Sequence, residues 1–226
     1  MKFVWFDLGY TLIYLEREEP YKRLLNRLGI HKNKNEIEQA FHLTDKYFMR
    51  EKLGFFNGSA HGYMDEYLLK LNHFLDTQQP ISYKDMVHVY QEEKVAPVWQ
   101  RYDFTLDVLN TLKDHHIGIG LLSNWDTSAR RILEELKLLE LFDEVIISSE
   151  VNITKPNKEI FAMALEKTGL HQSECIYVGD NYYDDIVGCQ RVGIEGKLIN
   201  RFGRTGIEEL SCEAYANIGE VVKAYL

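Results

Sequence analysis

The chain is predicted to form an α/β fold, with a doubly wound, mainly parallel sheet and a helical insertion after the first strand. Two observations carry this. Four short apolar runs (Phe3-Val4-Trp5-Phe6, Ile117 to Leu122, Val145-Ile146-Ile147 and Ile176-Tyr177-Val178) are nearly continuous rather than alternating, as in strands buried on both faces. Segments of helical periodicity separate the later runs, and alternation of the two implies βαβ units and parallel pairing.

Taken in order, Lys2 to Asp7 reads as strand one. Residues 15–97 follow with helical periodicity and no clear buried strand: Tyr21, Leu24, Leu25 and Leu28 make one stripe, and Tyr67, Leu68, Leu71 and Leu75 another. Gly54, Asn57-Gly58 and Pro80 interrupt this region, and Pro97 marks the return. The expected division is therefore 1–14 with 98–226 as an α/β core and 15–97 as a helical cap. Beyond it, Ala129, Ile132, Leu133, Leu136 and Leu139 repeat at helical spacing after Asp126 to Ser128. Ile160, Phe161, Ala164 and Leu165 do so between Pro156 and Gly169. Gly196 to Asn200 is a weaker strand, and Val221-Val222-Tyr225 closes the chain on a helical stripe.

The 226 residues suit one domain, or a core with an inserted subdomain. With 26 Lys+Arg against 35 Asp+Glu the net charge is -9, which argues against generic nucleic-acid binding because phosphate contacts need clustered cations. Cys175, Cys189 and Cys212 are scattered without a C-x-x-C spacing, so neither a disulfide framework nor a zinc site is expected. Reduced thiols fit a cytoplasmic protein. The apolar start is split by Asp7 and lacks the features of a signal peptide. No run approaches the roughly 20 apolar residues of a membrane span. No heptad seam is visible, leaving monomer or homodimer open.

In open parallel sheets, ligands gather beyond the carboxyl ends of the strands. Asp7, Ser123-Asn124, Lys155-Pro156 and Gly179-Asp180 with Asp184-Asp185 fall at or beyond such ends. A carboxylate nucleophile, a hydroxyl, an ammonium and an acidic cluster suit phosphoryl transfer. An Asp can attack phosphorus, and Mg²⁺ can bridge carboxylates that would otherwise repel. Ser123 and nearby main-chain N–H groups suit phosphoryl oxygens. Taken singly, each has a plainer reading: Asp7 as a turn residue, Ser123 as a helix cap, Lys155 as a solvated lysine, and Asp184 or Asp185 as a first-turn acid.

The order of these motifs, D-x-x-x-T-L, Ser-Asn, Lys-Pro and G-D-x-x-x-D-D, resembles the haloacid dehalogenase superfamily over nearly the whole chain. The helical insertion is similar to that superfamily's C1 cap, on a Rossmann-like core. The resemblance implies a hydrolase acting on a small phosphorylated metabolite. In it Asp7 is the nucleophile, Lys155 stabilises both nucleophile and phosphoryl group, and Ser123, Asn124 and Lys155 bind phosphate. Asp7, the Gly9 carbonyl, Asp180, and Asp185 or Asp184 would hold Mg²⁺. The loop around Asn57 and His61 is either a plain turn or a cap loop that selects substrate.

The family's phosphatases usually carry D-x-D-G-T, and this chain has Asp7-Leu8-Gly9-Tyr10-Thr11. The residue that would serve as general acid/base is Gly9. Loss of such a group typically costs about 10²–10⁴ in rate. Three readings follow. A phosphatase could use a substitute such as Asp126, Tyr10 or His61, or a substrate with a good leaving group. A different hydrolase, of dehalogenase or phosphonatase type, is the second; the latter needs a cap lysine such as Lys46 or Lys52. The third is a catalytically impaired protein that still binds a phosphorylated ligand.

Overall fold

The computed structural model describes residues 1–57, 60–77 and 80–226; of Asn57, Ala60 and His61 it describes the main chain alone. The strands are β1 (Phe3–Phe6), β2 (Ile13–Glu16), β3 (Val98–Arg101), β4 (Gly118–Ser123), β5 (Glu144–Ile147), β6 (Cys175–Gly179), β7 (Glu195–Ile199) and β8 (Ala214–Tyr215). The helices are α1 (Glu18–Arg27), α2 (Lys34–Glu51), α3 (Ala60–Phe74), α4 (Tyr83–Glu93), α5 (Thr105–Asp114), α6 (Ala129–Glu135), α7 (Ser148–Val151), α8 (Lys158–Thr168), α9 (Val187–Gln190) and α10 (Ile218–Tyr225).

The chain divides into two compact units. One comprises Met1–Tyr14, Trp99–Arg204 and Glu209–Leu226, the other Leu15–Val98 with Thr205–Glu208. In the first, six strands pair in the order β5-β4-β1-β6-β7-β8, and all five pairings are parallel. Successive side chains of a strand point to opposite faces. Val4 and Phe6 accordingly join Leu109, Leu121, Val178 and Val221 in one apolar layer, while Phe3 and Trp5 join Leu122, Ile146, Phe161 and Tyr177 in the other. Burial on both faces is why these strands read as continuous apolar runs. The order reverses at β1, which has β4 on one side and β6 on the other. That places the carboxyl ends of three strands side by side at a switch point.

The second unit is built from α1 to α4 around Tyr21, Leu24, Leu25, Ile37, Phe41, Phe48, Leu68 and Leu71. α2 and α4 open with reciprocal capping boxes, Asn33 with Glu36 and Ser82 with Asp85. Arg17 binds Asp45, donates to the Tyr67 hydroxyl at 3.1 Å, and lies over the Phe41 ring. Thr205–Glu208 belongs to this unit, and His42 Nε2 lies 2.9 Å from the Thr205 carbonyl oxygen.

Three features differ from the sequence expectation. A separate two-stranded sheet, β2 with β3, forms where the chain passes between units, and β8 adds an edge to the main sheet. β3 and β8 are largely half-exposed and lack an apolar run, whereas β2 follows the turn after Asp7 within a short one, Leu12 to Leu15. The periodicity over 129–139 is also broken: α6 stops at Glu135, Lys137 takes a left-handed conformation, and a separate 3-10 turn covers Leu139–Leu141.

Candidate active site

The carboxyl ends of β1, β4 and β6 present Asp7, Ser123 and Asp180. Asp7 follows β1 directly, Ser123 is the last residue of β4, and Asp180 follows β6. The Ser123 hydroxyl donates to Asp7 Oδ1 at 2.9 Å, and Lys155 Nζ donates to the same oxygen at 2.7 Å. Oδ2 of Asp7 accepts no hydrogen bond among the described residues. One oxygen is thus held, and the other remains available.

Lys155 comes from the loop between α7 and α8. Its main chain is gripped by the Asn124 carboxamide: Lys155 N donates to Oδ1 at 2.8 Å, and Nδ2 donates to the Lys155 carbonyl at 3.0 Å. Asn124 therefore places the lysine loop with its side chain. The Lys155-Pro156 bond is cis. Lys155 Nζ also reaches Asp185 Oδ1 at 2.6 Å and the Tyr177 hydroxyl at 2.9 Å. Tyr177 donates in turn to the Leu122 carbonyl at 2.7 Å.

Asp185 sits in a π-helical turn over Tyr182–Ile186, whose start is capped by Asn181: Oδ1 accepts from Tyr183 N and Asp184 N at 3.1 and 3.2 Å. Asn181 N donates back to Asp185 Oδ2 at 2.9 Å. Gly179 makes room for this arrangement. A Cβ there would stand 2.2 Å from Asp185 Oδ2, far inside carbon–oxygen contact.

Asp7, Asp180 and Asp185 each bring one carboxylate oxygen within 4.8 Å of the others. They are 8%, 8% and 1% exposed, and Lys155 is 3% exposed. Two of these carboxylates, Asp7 and Asp185, share the Lys155 ammonium at 2.7 and 2.6 Å. Burial pushes Asp7 above the usual carboxylate range, with Asp185 adding to the rise against the pull of Lys155. Burial acts to lower Lys155, but Asp185 and Asp7 outweigh it and hold the ammonium charged. A hard divalent cation with oxygen ligands matches this all-carboxylate donor set. Asp184 lies outside the trio. Its Oδ2 accepts from Asn181 Nδ2 at 3.0 Å, and its Oδ1 is buried without a hydrogen-bond partner. Burial, then Asp185, push it up to about 7.

Gly9 lies on the turn after Asp7, where Tyr10 takes a left-handed conformation and its N–H donates to the Ile13 carbonyl. The rings of Trp125 and Trp99 lie against it. Of the substitute acids, Asp126 is held below the ordinary carboxylate range by hydrogen bonds from Ser128 at 2.6 and 2.8 Å, which makes it a poor proton donor. The side chains of Asn57 and His61 lie outside the described residues. Tyr177, Trp125 and Trp99 escaped the sequence reading. Tyr177 is hidden because it continues an apolar strand, and the indoles because no motif marks their approach to Gly9.

The sequence profile of the haloacid dehalogenase-like hydrolase family matches residues 19–198, a stretch that begins after Asp7. Haloacid dehalogenase-like hydrolase domain-containing protein 3 of Danio rerio is 27% identical over 210 residues, covering 89% of this chain and 86% of that protein. A glyceraldehyde 3-phosphate phosphatase of Methanocaldococcus jannaschii is 28% identical over 202 residues, covering 86% and 82%. Among solved structures, a HAD phosphatase from Thermococcus onnurineus superposes with a TM-score of 0.60 at 25% identity, covering 100% of this chain and 98% of that one. With more than half of its length matched and its parallel sheet in common with these structures, the chain belongs to the haloacid dehalogenase-like hydrolases and is an enzyme of that family.

Proposed function

We infer that the enzyme is a phosphatase of a small phosphorylated metabolite, working through an aspartyl-phosphate on Asp7. The observation that carries this is the Asp7 carboxylate, fixed through Oδ1 by Lys155 and Ser123 with Oδ2 left unengaged. Phosphatases among its relatives support the same reading. Asp7, Asp180 and Asp185 would hold Mg²⁺, with the Gly9 carbonyl as a further ligand. Bound there, Mg²⁺ would offset the charge of the carboxylates and of the phosphate.

In the first half-reaction Oδ2 of Asp7 attacks phosphorus, and the bond to the leaving oxygen breaks. Lys155, already paired to Asp7, stabilises charge on the transferring group, and the Ser123 hydroxyl orients the carboxylate. Asn124 keeps Lys155 in place. In the second, water attacks the aspartyl-phosphate, releasing phosphate and restoring Asp7. The Leu15–Val98 unit acts as the cap that sets specificity, with Asn57 and His61 as its candidate substrate contacts. The three cysteines are free, which agrees with a cytoplasmic setting. No described helix is long and apolar enough to cross a membrane.

The test is phosphate release from 4-nitrophenyl phosphate with and without Mg²⁺, comparing wild type with Asp7→Asn. Mg²⁺-dependent turnover that disappears in the variant is expected. Equal activity in Asp7→Asn refutes the reading. Beryllofluoride binding without turnover by wild type would favour instead a ligand-binding role, the reading that Gly9 on its own supports.

A further inference from the structure

Next to the charged cluster, the core unit has an aromatic corner with no part in the steps above. Gly9 is two residues beyond Asp7. Trp125 is two residues beyond Ser123, whose hydroxyl bonds the Asp7 carboxylate. A Cβ on Gly9 would stand 3.2 Å from Trp125 Cζ3 and 3.9 Å from Trp99 Cη2, so the hydrocarbon rims of two indoles converge on this glycine. Their ring centroids are 4.7 Å apart, and Tyr10 meets Trp99 edge-on at 6.0 Å. Trp125 is anchored at both ends: its Nε1–H donates to Ser128 Oγ at 3.1 Å, and its main-chain N–H to Ser148 Oγ at 3.0 Å. Trp99, Trp125 and Tyr10 are all half-buried and keep some exposed surface.

The chemistry of this corner is selective. An indole rim attracts flat and apolar groups but gives no proton to a departing oxygen. The one N–H of the Trp125 ring is engaged by Ser128, and Asp126 beside it is held ionised by the same serine. Neither the indoles nor Asp126 thus offers a proton to an alkoxide leaving group, whose unassisted departure is costly. An oxyanion conjugated to a ring or carbonyl needs no such help.

We propose that Trp125 and Trp99 form the leaving-group wall of the site, and that the enzyme takes phosphate esters or anhydrides of conjugated oxyanions: aryl, enol or acyl phosphates. This rests on Asp7 as the nucleophile. As the bond from Asp7 Oδ2 to phosphorus forms, the bond from phosphorus to the leaving oxygen breaks. Its electron pair stays on that oxygen and delocalises into the adjoining π-system, which lies against the indoles. No proton is transferred in the step.

The test compares kcat/KM for phenyl phosphate and glycerol 3-phosphate, in Mg²⁺, for the full-length enzyme and for Trp125→Gln and Trp125→Phe. Wild type should prefer phenyl phosphate by about 10²-fold or more, the usual worth of a missing acid. Trp125→Gln should cut that preference about tenfold, mainly through KM, as the loss of one aromatic contact allows. Trp125→Phe should retain most of it. In Asp7→Asn, phenyl phosphate should quench indole fluorescence more than inorganic phosphate does, and the excess should vanish when Trp125→Gln is added. Should Trp125→Gln fail to fold, Trp99→Gln supplies the same contrast. The proposal is overturned if Asp7-dependent turnover of the two esters is comparable in wild type, or if the preference survives both tryptophan substitutions. No Asp7-dependent hydrolysis of either ester would instead remove the nucleophile reading beneath it, and the proposal with it.

Discussion

Replacing Asp184 with Asn should flatten the pH dependence of stability in the metal-free protein. Asp184 is largely buried, one of its oxygens lacks a hydrogen-bond partner, and Asp185 adds like charge beside it. Its carboxyl is pushed from 3.8 up to about 7. In the unfolded chain the same group loses its proton near the ordinary value. Between these two values the folded state binds the extra proton, so stability falls as pH rises. The contribution of Asp184 is full below about 4, declines through the window up to about 7, and is gone above it. A shift of this size corresponds to about 4 kcal/mol, at 1.36 kcal/mol per pH unit. For a chain of this length that is about 8–16 °C in Tm. The assay is thermal unfolding by far-UV circular dichroism from pH 4 to 8 in EDTA, for wild type and Asp184→Asn. Asp7 is raised with the same sign and stays in both proteins, so the difference between the curves reports Asp184 together with its coupling to Asp185 and Asp7. Excess Mg²⁺ should make the wild-type slope shallower, because a cation beside Asp185 offsets the like charge that adds to the effect of burial. Identical slopes for the two proteins in EDTA would refute the reasoning.

Gly179→Ala would drive its new Cβ into Asp185. It should displace that carboxylate and weaken Mg²⁺ affinity by about 10–100-fold, read by isothermal titration calorimetry. Lys155→Met leaves Asp7 and Asp185 buried without their shared cation. It should cost about 3–5 kcal/mol in urea denaturation, with partial recovery when Asp185→Asn is added. Gly9→Asp places a Cβ 3.2 Å from the Trp125 ring, closer than the optimal 3.5–4.0 Å for carbon pairs. Alone it should destabilise by about 1–3 kcal/mol without raising turnover of glycerol 3-phosphate. Gly9→Asp with Trp125→Ala should raise that turnover above either single variant.

Much of the core was legible because its physics is local. Strands buried on both faces must be apolar throughout, so β1, β4, β5 and β6 appear as runs in the sequence. A parallel sheet puts chemistry at the carboxyl ends, so Asp7, Ser123 and Asp180 follow from where those runs stop. The order of four such motifs was enough to suggest the family. β3 and β8 were not legible, because short half-exposed strands have neither a continuous run nor a clean alternation, and β2 was not because its apolar run lies so close behind strand one.

Within the site, sequence alone proposed the acidic cluster, and only the folded chain separated its members. Asp184 and Asp185 are adjacent and chemically identical. A single turn capped by Asn181, entered through a glycine with no Cβ to obstruct it, aims Asp185 at Lys155 and leaves Asp184 against Asn181. The grip of Asn124 on Lys155 joins residues 31 positions apart, and the Tyr177 hydroxyl under Lys155 comes from a strand whose residues look purely apolar. Gly9 shows the same division. Its identity shows only a departure from the family's usual D-x-D-G-T pattern, while the indole beside it arrives from the loop after β4. Backbone periodicity and chain order are written in the sequence; which side chains meet depends on rotations and approaches between segments far apart in it, and those are settled by packing.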